Sequence, residues 1–269
     1  FLSLTQGDDG RVIEECSMSG EARLGPAAIP HYLLLAARYA AWTGELDFLS
    51  RRWTAIRRAI DFAVASRRWS PGDALAAVWA SALASLPPLA EALGHQEMAE
   101  DLAMHALAAR GPVPDATLPL SPLGGDRFRD GRLEQDFGAW RDLASLVRRN
   151  EGGARAWAGV AAGAVEGLWG VIPDALEGAV RISPWFPPDW DAMSVERIRV
   201  GRTVLSVGLR RRFGQVAARI ERVHGPRLHV EFVLRGVPAL TTVLLDDVEL
   251  GGGRVAFEAE GTHALVWHP

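Results

Sequence analysis

The spacing of apolar residues changes once along the chain, near residue 178, and this change constrains the fold more than any other feature. Before it, apolar residues recur every three or four positions, as in the stripe from Leu49 to Val64. After it, apolar and polar residues alternate, which is typical of strands with one buried face. We therefore predict a helical domain over residues 1–177 and an antiparallel β-sandwich domain over residues 178–269.

The two parts can be divided into expected elements. The helices are predicted at 28–43, 45–67, 73–93, 95–110, 134–149 and 153–169. The pair Pro87-Pro88 should kink or split the third helix, because proline lacks an N–H and clashes with the preceding turn. The buried strand faces are expected at Leu205–Leu209, Val216–Ile220 and Leu228–Leu234.

Nearly uncharged helices alternate with amphipathic ones in the first part, which favours an inner and an outer helical layer. Helix 134–149 is amphipathic and helix 153–169 has a buried character, so the order reverses there. Most tryptophans of the helices are expected in the core, and Trp157 is one of them.

Composition excludes several classes of function. The chain has 269 residues with 33 acidic and 29 basic side chains, a net charge of -4, which disfavours nucleic acid as a partner. All the basic side chains are arginine, so lysine Schiff-base chemistry is excluded. A single cysteine excludes a disulfide framework and a cysteine-based zinc cluster. We predict no metal, no cofactor and no membrane span, and the cellular compartment stays open.

Two stretches carry architectural motifs. The first is Trp42-Thr43-Gly44-Glu45-Leu46-Asp47-Phe48-Leu49, followed by Trp53 and Ile56. The second is Gly167-Leu168-Trp169-Gly170, followed by Pro184-Trp185-Phe186-Pro187-Pro188-Asp189-Trp190. Together they resemble the six-hairpin (α/α)6-barrel glycoside hydrolases and phosphorylases. The second stretch is similar to the passage from the last barrel helix into the C-terminal β-sandwich of α-L-rhamnosidases and of maltose- or kojibiose-type phosphorylases.

The resemblance implies a partial (α/α) toroid followed by a small β-sandwich, with a glycoside, an oligosaccharide or a polysaccharide as substrate. The predicted helices would supply about half of a twelve-helix toroid. Since the chain starts at Phe1 without a methionine, we expect the other half upstream. Such barrels use two carboxylates, one as general acid and one as general base, about 6.5–9.5 Å apart in inverting enzymes. Hydrolysis and phosphorolysis both remain open.

The first candidate set lies on the long segment before helix 28–43. Glu14 and Glu15 follow the apolar pair Val12-Ile13, so one carboxylate can face a partly dry site and act as a catalytic group. The substrate-binding candidates beside them are Asp8, Asp9, Arg11 and His31. The alternative interpretation is a solvated acidic loop with a structural histidine.

The second candidate set surrounds the start of helix 134–149. Glu134 and Asp136 are catalytic candidates, although acids at a helix start also stabilise the helix dipole whatever the function. Asp126 and Asp130 belong to the same acidic stretch. Trp69 and Trp140 are the best tryptophans for stacking against a sugar ring.

Three functions compete at this point. The first is a glycoside hydrolase that uses a carboxylate pair. The second is a carbohydrate-binding or scaffold protein that has kept the toroid and lost the acid–base pair. The third is a polysaccharide lyase, which the presence of only two tyrosines disfavours.

Overall fold

The computed structural model describes residues 6–16, 22–25, 27–66, 74–109, 133–149, 151, 153–236, 242–250 and 253–268. The chain divides into two compact units, residues 1–119 and 120–269. The change from helix to strand falls after Leu168, within the second unit, and the domain boundary near residue 178 stays a prediction. None of the described helices is long and apolar enough to cross a bilayer.

In the first unit, a β-hairpin precedes a set of packed helices. The bounds are β1 Val12–Cys16, β2 Ala22–Gly25, α1 Ala28–Thr43, α2 Leu46–Ser50, α3 Trp53–Ser66, α4 Ala74–Ser85, α5 Pro87–Ala92 and α6 Gln96–Ala109. Helix α1 packs against α3 and α4, and α4 packs against α6. Strand β1 contacts α1, so the hairpin is part of the packed unit.

The helix ends of this unit follow local chemistry. Gly44 adopts the left-handed conformation (φ 66°) that ends α1, and its N–H donates to the Ala40 carbonyl. The predicted split at Pro87 is confirmed, because α4 ends at Ser85 and α5 begins at Pro87. The single helix predicted over 45–67 is wrong: a turn at Arg51-Arg52 separates α2 from α3.

In the second unit, two helices lead into two sheets. The helical bounds are α7 Leu133–Arg148, α8 Gly153–Ala162 and a π-helix Gly163–Leu168. The strands are β3 Val171–Asp174, β4 Ala179–Ile182, β5 Ala192–Val200, β6 Thr203–Arg212, β7 Gln215–His224, β8 Leu228–Val233, β9 Thr242–Leu245, β10 Val248–Leu250, β11 Arg254–Ala259 and β12 Thr262–His268.

The two sheets differ in strand direction. The larger one has the order β10-β9-β12-β7-β6-β5, and its neighbours are all antiparallel. The smaller one has the order β11-β8-β4-β3, and β4 runs parallel to β8. The expectation of purely antiparallel pairing is therefore wrong at this pair. Three strands lie between β4 and β8 in the chain and supply the long crossover that parallel neighbours require.

The core of this unit lies between inward-facing side chains of the two sheets. Leu205, Val207 and Leu209 are buried along β6, which confirms the predicted alternation. Phe232 of β8 and Trp267 of β12 are also buried, and their ring centroids lie 5.5 Å apart. These two rings join the inner faces of the two sheets.

Strand β5 forms one edge of the larger sheet and carries a β-bulge. Its register with β6 shifts between Val195 and Ile198, and Arg197 adopts a positive φ of 61° there. The exposed residues of this stretch are charged: Glu196, Arg197 and Arg199. The opposite edge is the three-residue strand β10.

Three of the five helical tryptophans expected in the core are buried, whereas Trp42 is half-buried and Trp157 is exposed. Trp53, Trp79 and Trp169 are buried, as predicted. Trp157 is 56% exposed, so its expected place in the core is wrong. Helix α8 buries Ala156 instead, and the next residue lies about 100° further round the helix.

Candidate functional site

The turn from Gly7 to Arg11 is held directly against helix α3. The Gln6 side-chain amide donates hydrogen bonds to the carbonyls of Gly10 and Ala55, each at 2.9 Å. Gly10 has a φ of 95°, and a Cβ atom at this residue would lie 2.2 Å from the Arg58 carbonyl oxygen. The turn therefore needs a residue without a side chain at position 10.

Two predicted binding residues form an ion pair on this turn. Arg11 Nε lies 2.6 Å from Asp9 Oδ2, and the Arg11 backbone N–H donates to Asp9 Oδ1 at 3.2 Å. That N–H, and then the Arg11 guanidinium, lower the pKa of Asp9 despite some desolvation. Asp9 is thus an ionised hydrogen-bond acceptor at neutral pH and is unsuited to be a general acid. Asp8 is exposed beside it.

The predicted catalytic residues Glu14 and Glu15 lie on strand β1, directly after this turn. Ile13 pairs with Leu24 and Glu15 pairs with Arg23, which leaves Glu14 as the extra residue of a β-bulge. The backbone places both glutamates next to buried Val12 and Ile13. Their side chains lie outside the described part of the structure. Bulges of this kind often re-aim a side chain near an active site.

His31 lies in the first turns of α1, the helix that contacts β1. It is half-buried, and this burial lowers the pKa of its imidazole from the ordinary value. A neutral imidazole can donate one hydrogen bond and accept another, which suits a sugar hydroxyl. The first unit thus brings β1, the turn and His31 together on adjacent elements.

The lowered pKa of His31 makes stability depend on pH. Below the unfolded pKa of about 6.5, the unfolded chain binds a proton that the folded chain resists, so the unfolding free energy falls as pH falls. His31→Gln should abolish this component. We expect the Tm of the wild type, relative to the variant, to drop as the pH falls from 7.5 to 5.5. A relative Tm that rises as the pH falls would contradict the assigned direction.

The second candidate set starts α7. Glu134 is exposed and Asp136 is half-buried, and both lie in the first turn of the helix. There they stabilise the positive end of the helix dipole, which accounts for them without a catalytic role. Their part in catalysis stays a prediction. Asp126, Asp130 and Trp69 lie outside the described residues.

Trp140 is built into the packing of the second unit. Its indole N–H donates to the Val160 carbonyl at 3.0 Å, and its ring stacks on Phe137 with centroids 5.8 Å apart. A Cβ atom at Gly163 would lie 2.6 Å from this ring. The Phe137 ring also meets Trp185 and Trp190 edge-on. These contacts explain why a tryptophan is present, and stacking of Trp140 against a sugar stays a prediction.

Arg235 makes contacts with the end of the π-helix that the sequence did not indicate. Its guanidinium donates to the carbonyls of Gly167 and Leu168 at the end of the π-helix, and its backbone N–H donates to the Pro184 carbonyl at 2.9 Å. A cation at a helix C-terminus satisfies carbonyls that lack a partner within the helix. Gln6 and Gly10 were missed in the same way, although the Gly-Asp-Asp-Gly composition signals their turn.

No group of three or more histidine, cysteine or acidic side chains among the described residues is arranged to hold a metal ion. Glu14, Glu15 and His31 belong to the first unit, whereas Glu134, Asp136 and Trp140 belong to the second.

The fold is similar to those of solved α-L-rhamnosidases. The enzyme from Dictyoglumus thermophilum aligns with a TM-score of 0.63 at 12% identity, covering 100% of this chain and 43% of that one. The Streptomyces avermitilis enzyme in complex with L-rhamnose aligns with a TM-score of 0.56 at 12% identity, covering 98% of this chain and 35% of that one. No protein-family model and no curated protein matches the sequence. The chain therefore has a rhamnosidase-like fold and spans less than half the length of either enzyme.

Proposed function

We propose that this chain is part of a glycoside hydrolase that cleaves α-L-rhamnosides with two carboxylates. The observation that carries the proposal is the alignment of two α-L-rhamnosidases along nearly the whole chain. In this proposal the helices form part of an (α/α)6 barrel and the sheets form the β-sandwich that follows it. Because the fold alone supports it, the substrate class needs a direct test.

The first unit supplies the better-placed carboxylates. A general acid needs a raised pKa, which a carboxyl group gains in partly apolar surroundings. Glu14 and Glu15 follow two buried apolar residues on a strand tied to α3 through the adjoining turn. We assign one of them as a catalytic carboxylate. Asp9 and Arg11 lie on that turn as an acceptor and a donor for sugar hydroxyls, and neutral His31 supplies both functions.

Glu134 and Asp136 remain our other candidates for a catalytic carboxylate, with Trp69 and Trp140 as candidate sugar-stacking residues. An inverting reaction would need about 6.5–9.5 Å between the two carboxyl groups to admit a water molecule. The acid would protonate the leaving oxygen while the base takes a proton from that water. Protonation of the leaving group and activation of the nucleophile then occur on opposite faces of the sugar.

The test is hydrolysis of 4-nitrophenyl α-L-rhamnopyranoside by the full chain and by single amide variants. We expect Glu14→Gln or Glu15→Gln to reduce kcat about 100- to 10,000-fold, because removal of a general acid or base has this effect. Either Glu134→Gln or Asp136→Asn should reduce kcat by a similar factor. Glu97→Gln, at an exposed position of α6, is the matched control and should keep wild-type turnover.

Three outcomes would contradict the proposal in different ways. Wild-type turnover in all four variants would refute the residue assignment. Sugar release only as a 1-phosphate, and only with added phosphate, would indicate a phosphorylase instead of a hydrolase. Rhamnoside binding without turnover under all conditions would favour the non-catalytic carbohydrate-binding function.

A further inference from the structure

A groove of about 940 Å³ crosses the solvent-facing side of the larger sheet, over strands β5, β6, β7 and β12. The strand register aligns small residues and two arginines across its floor. One row is Ser194, Gly208, Arg219 and Ala264, and the next is Ala192, Arg210 and Ala217.

The charged side chains that line this groove balance one another. Arg210 and Arg219 are matched by Glu196 and Glu221, and the Arg219 guanidinium lies 3.1 Å from the Glu221 carboxylate. The sum of these four charges is zero, which complements a neutral ligand rather than an anion. The same groups, with the Ser194 and Ser206 hydroxyls, offer many hydrogen-bond donors and acceptors.

The β6–β7 hairpin ends in a fully exposed aromatic residue. Phe213 has a relative exposure of 101%, the largest among the exposed apolar side chains of the described residues. Phe213 and Gly214 connect the pair Arg212 and Gln215, and both have positive φ angles, 51° and 80°. This two-residue turn favours Asn-Gly, and a bulky residue at positive φ is strained.

A second hairpin of the same unit shows the usual solution to this turn. Asp246 and Asp247 connect β9 to β10 with φ angles of 49° and 67°. Aspartate tolerates the left-handed conformation better than phenylalanine does, because its short side chain can hydrogen-bond locally. Asp246 accepts from the Ala264 N–H and from His263, at 2.8 Å and 2.7 Å. Phe213 thus carries a conformational cost without a buried contact to offset it, as residues at functional sites do.

The turn that carries Phe213 follows the groove along strands β6 and β7. Arg210 and Ala217 form the groove row nearest the turn, and the pair Arg212 and Gln215 follows two positions further along the strands. At about 3.3 Å per residue, the turn begins roughly 7 Å beyond that row. One pyranose ring stacked on Phe213 could therefore continue into the groove as an oligosaccharide.

We propose that this surface, the groove together with Phe213, binds a neutral oligosaccharide as a non-catalytic site. An aromatic face packs against the C–H face of a pyranose, while arginine and glutamate side chains bind its hydroxyls. The carbohydrate class of this ligand rests on the proposed function. The binding itself requires no turnover, so it can be tested independently of catalysis.

The test is affinity electrophoresis of the full chain in native gels that contain neutral galactomannan or neutral xyloglucan. We expect the wild type to be retarded by at least one of them. Phe213→Ala and Arg210→Ala should weaken the apparent affinity at least 10-fold, and Phe213→Trp should retain it. Phe48→Ala removes an exposed aromatic of α2 and is the matched control that should bind like the wild type.

Phe213→Asn separates binding from stability. Asparagine suits the left-handed position of an Asn-Gly turn, so this variant should unfold at a higher urea concentration than the wild type while binding at least 10-fold more weakly. Glu14→Gln should be retarded like the wild type, which distinguishes this surface from the proposed catalytic site.

Several results would overturn the proposal. Free migration of the wild type in both neutral gels would be one such result. Retardation of Phe213→Ala as strong as that of the wild type would be another. Retardation by polygalacturonate alone would indicate attraction between charges. Flotation with vesicles of phosphatidylcholine and phosphatidylserine that is lost in Phe213→Ala would indicate a lipid surface instead.

Discussion

Gly10→Ala is expected to lower the free energy of unfolding by about 2–5 kcal/mol, the sum of a left-handed conformation and an overpacked contact. The added methyl group would lie 2.2 Å from the Arg58 carbonyl oxygen and 3.1 Å from the Phe62 Cβ atom. Either the turn leaves α3 or the helix backbone moves. The measurement is urea denaturation followed by far-UV circular dichroism.

Gly94→Ala is the matched control for this substitution. Gly94 also has a positive φ, 82°, but an added Cβ atom would meet no described atom within 4 Å. Gly94→Ala should therefore lower the free energy of unfolding only by the cost of the left-handed conformation, about 1–2 kcal/mol. Equal losses in the two variants would show that the turn does not rest tightly on α3. Because the turn leads into β1, Gly10→Ala should also reduce the proposed rhamnoside hydrolysis more than Gly94→Ala does.

Phe232→Ala should destabilise the second unit by about 3–5 kcal/mol, the usual cost of removing a buried phenylalanine side chain. Phe232 is 0% exposed, and its ring meets that of Trp267 between the two sheets. Alanine would leave a cavity at the junction of both inner faces. The loss is measured as a lower urea midpoint with an unchanged m-value.

The fully exposed Phe213 provides the control for Phe232. Removing its side chain creates no cavity, so Phe213→Ala should change the free energy of unfolding by less than about 0.5 kcal/mol. A loss at Phe232 as small as that at Phe213 would mean that the two sheets do not share the core assigned to them.

The sequence predicted the elements well where a local rule decides them. Proline at position 87 cannot continue the preceding helix, and the alternation at Leu205–Leu209 allows only one buried face. The parallel pairing of β4 with β8 was not predictable from either strand. It depends on which strands become neighbours after the chain returns, and no residue of β4 encodes that choice.

In the candidate site, too, local features were predictable from the sequence and long-range contacts were not. The acidic residues from Asp8 to Glu15 were evident as candidates from the sequence. The attachment of the Gly7–Arg11 turn to α3 was not, because the hydrogen bond from Gln6 to Ala55 joins residues 49 positions apart. The place of Trp157 was misjudged for a related reason. Helical spacing identifies a face of a helix, whereas the partner of that face depends on tertiary packing.

The edge strands of the larger sheet affect whether copies of this protein can aggregate by strand pairing. An exposed strand with free N–H and C=O groups can recruit a strand from another molecule, which leads to aggregation. On β5, the bulge at Arg197 and the charges around it interrupt such a template, and β10 offers only three residues. We expect the protein to resist polymerisation by sheet extension, so the surface proposed to bind an oligosaccharide would stay accessible at high concentration.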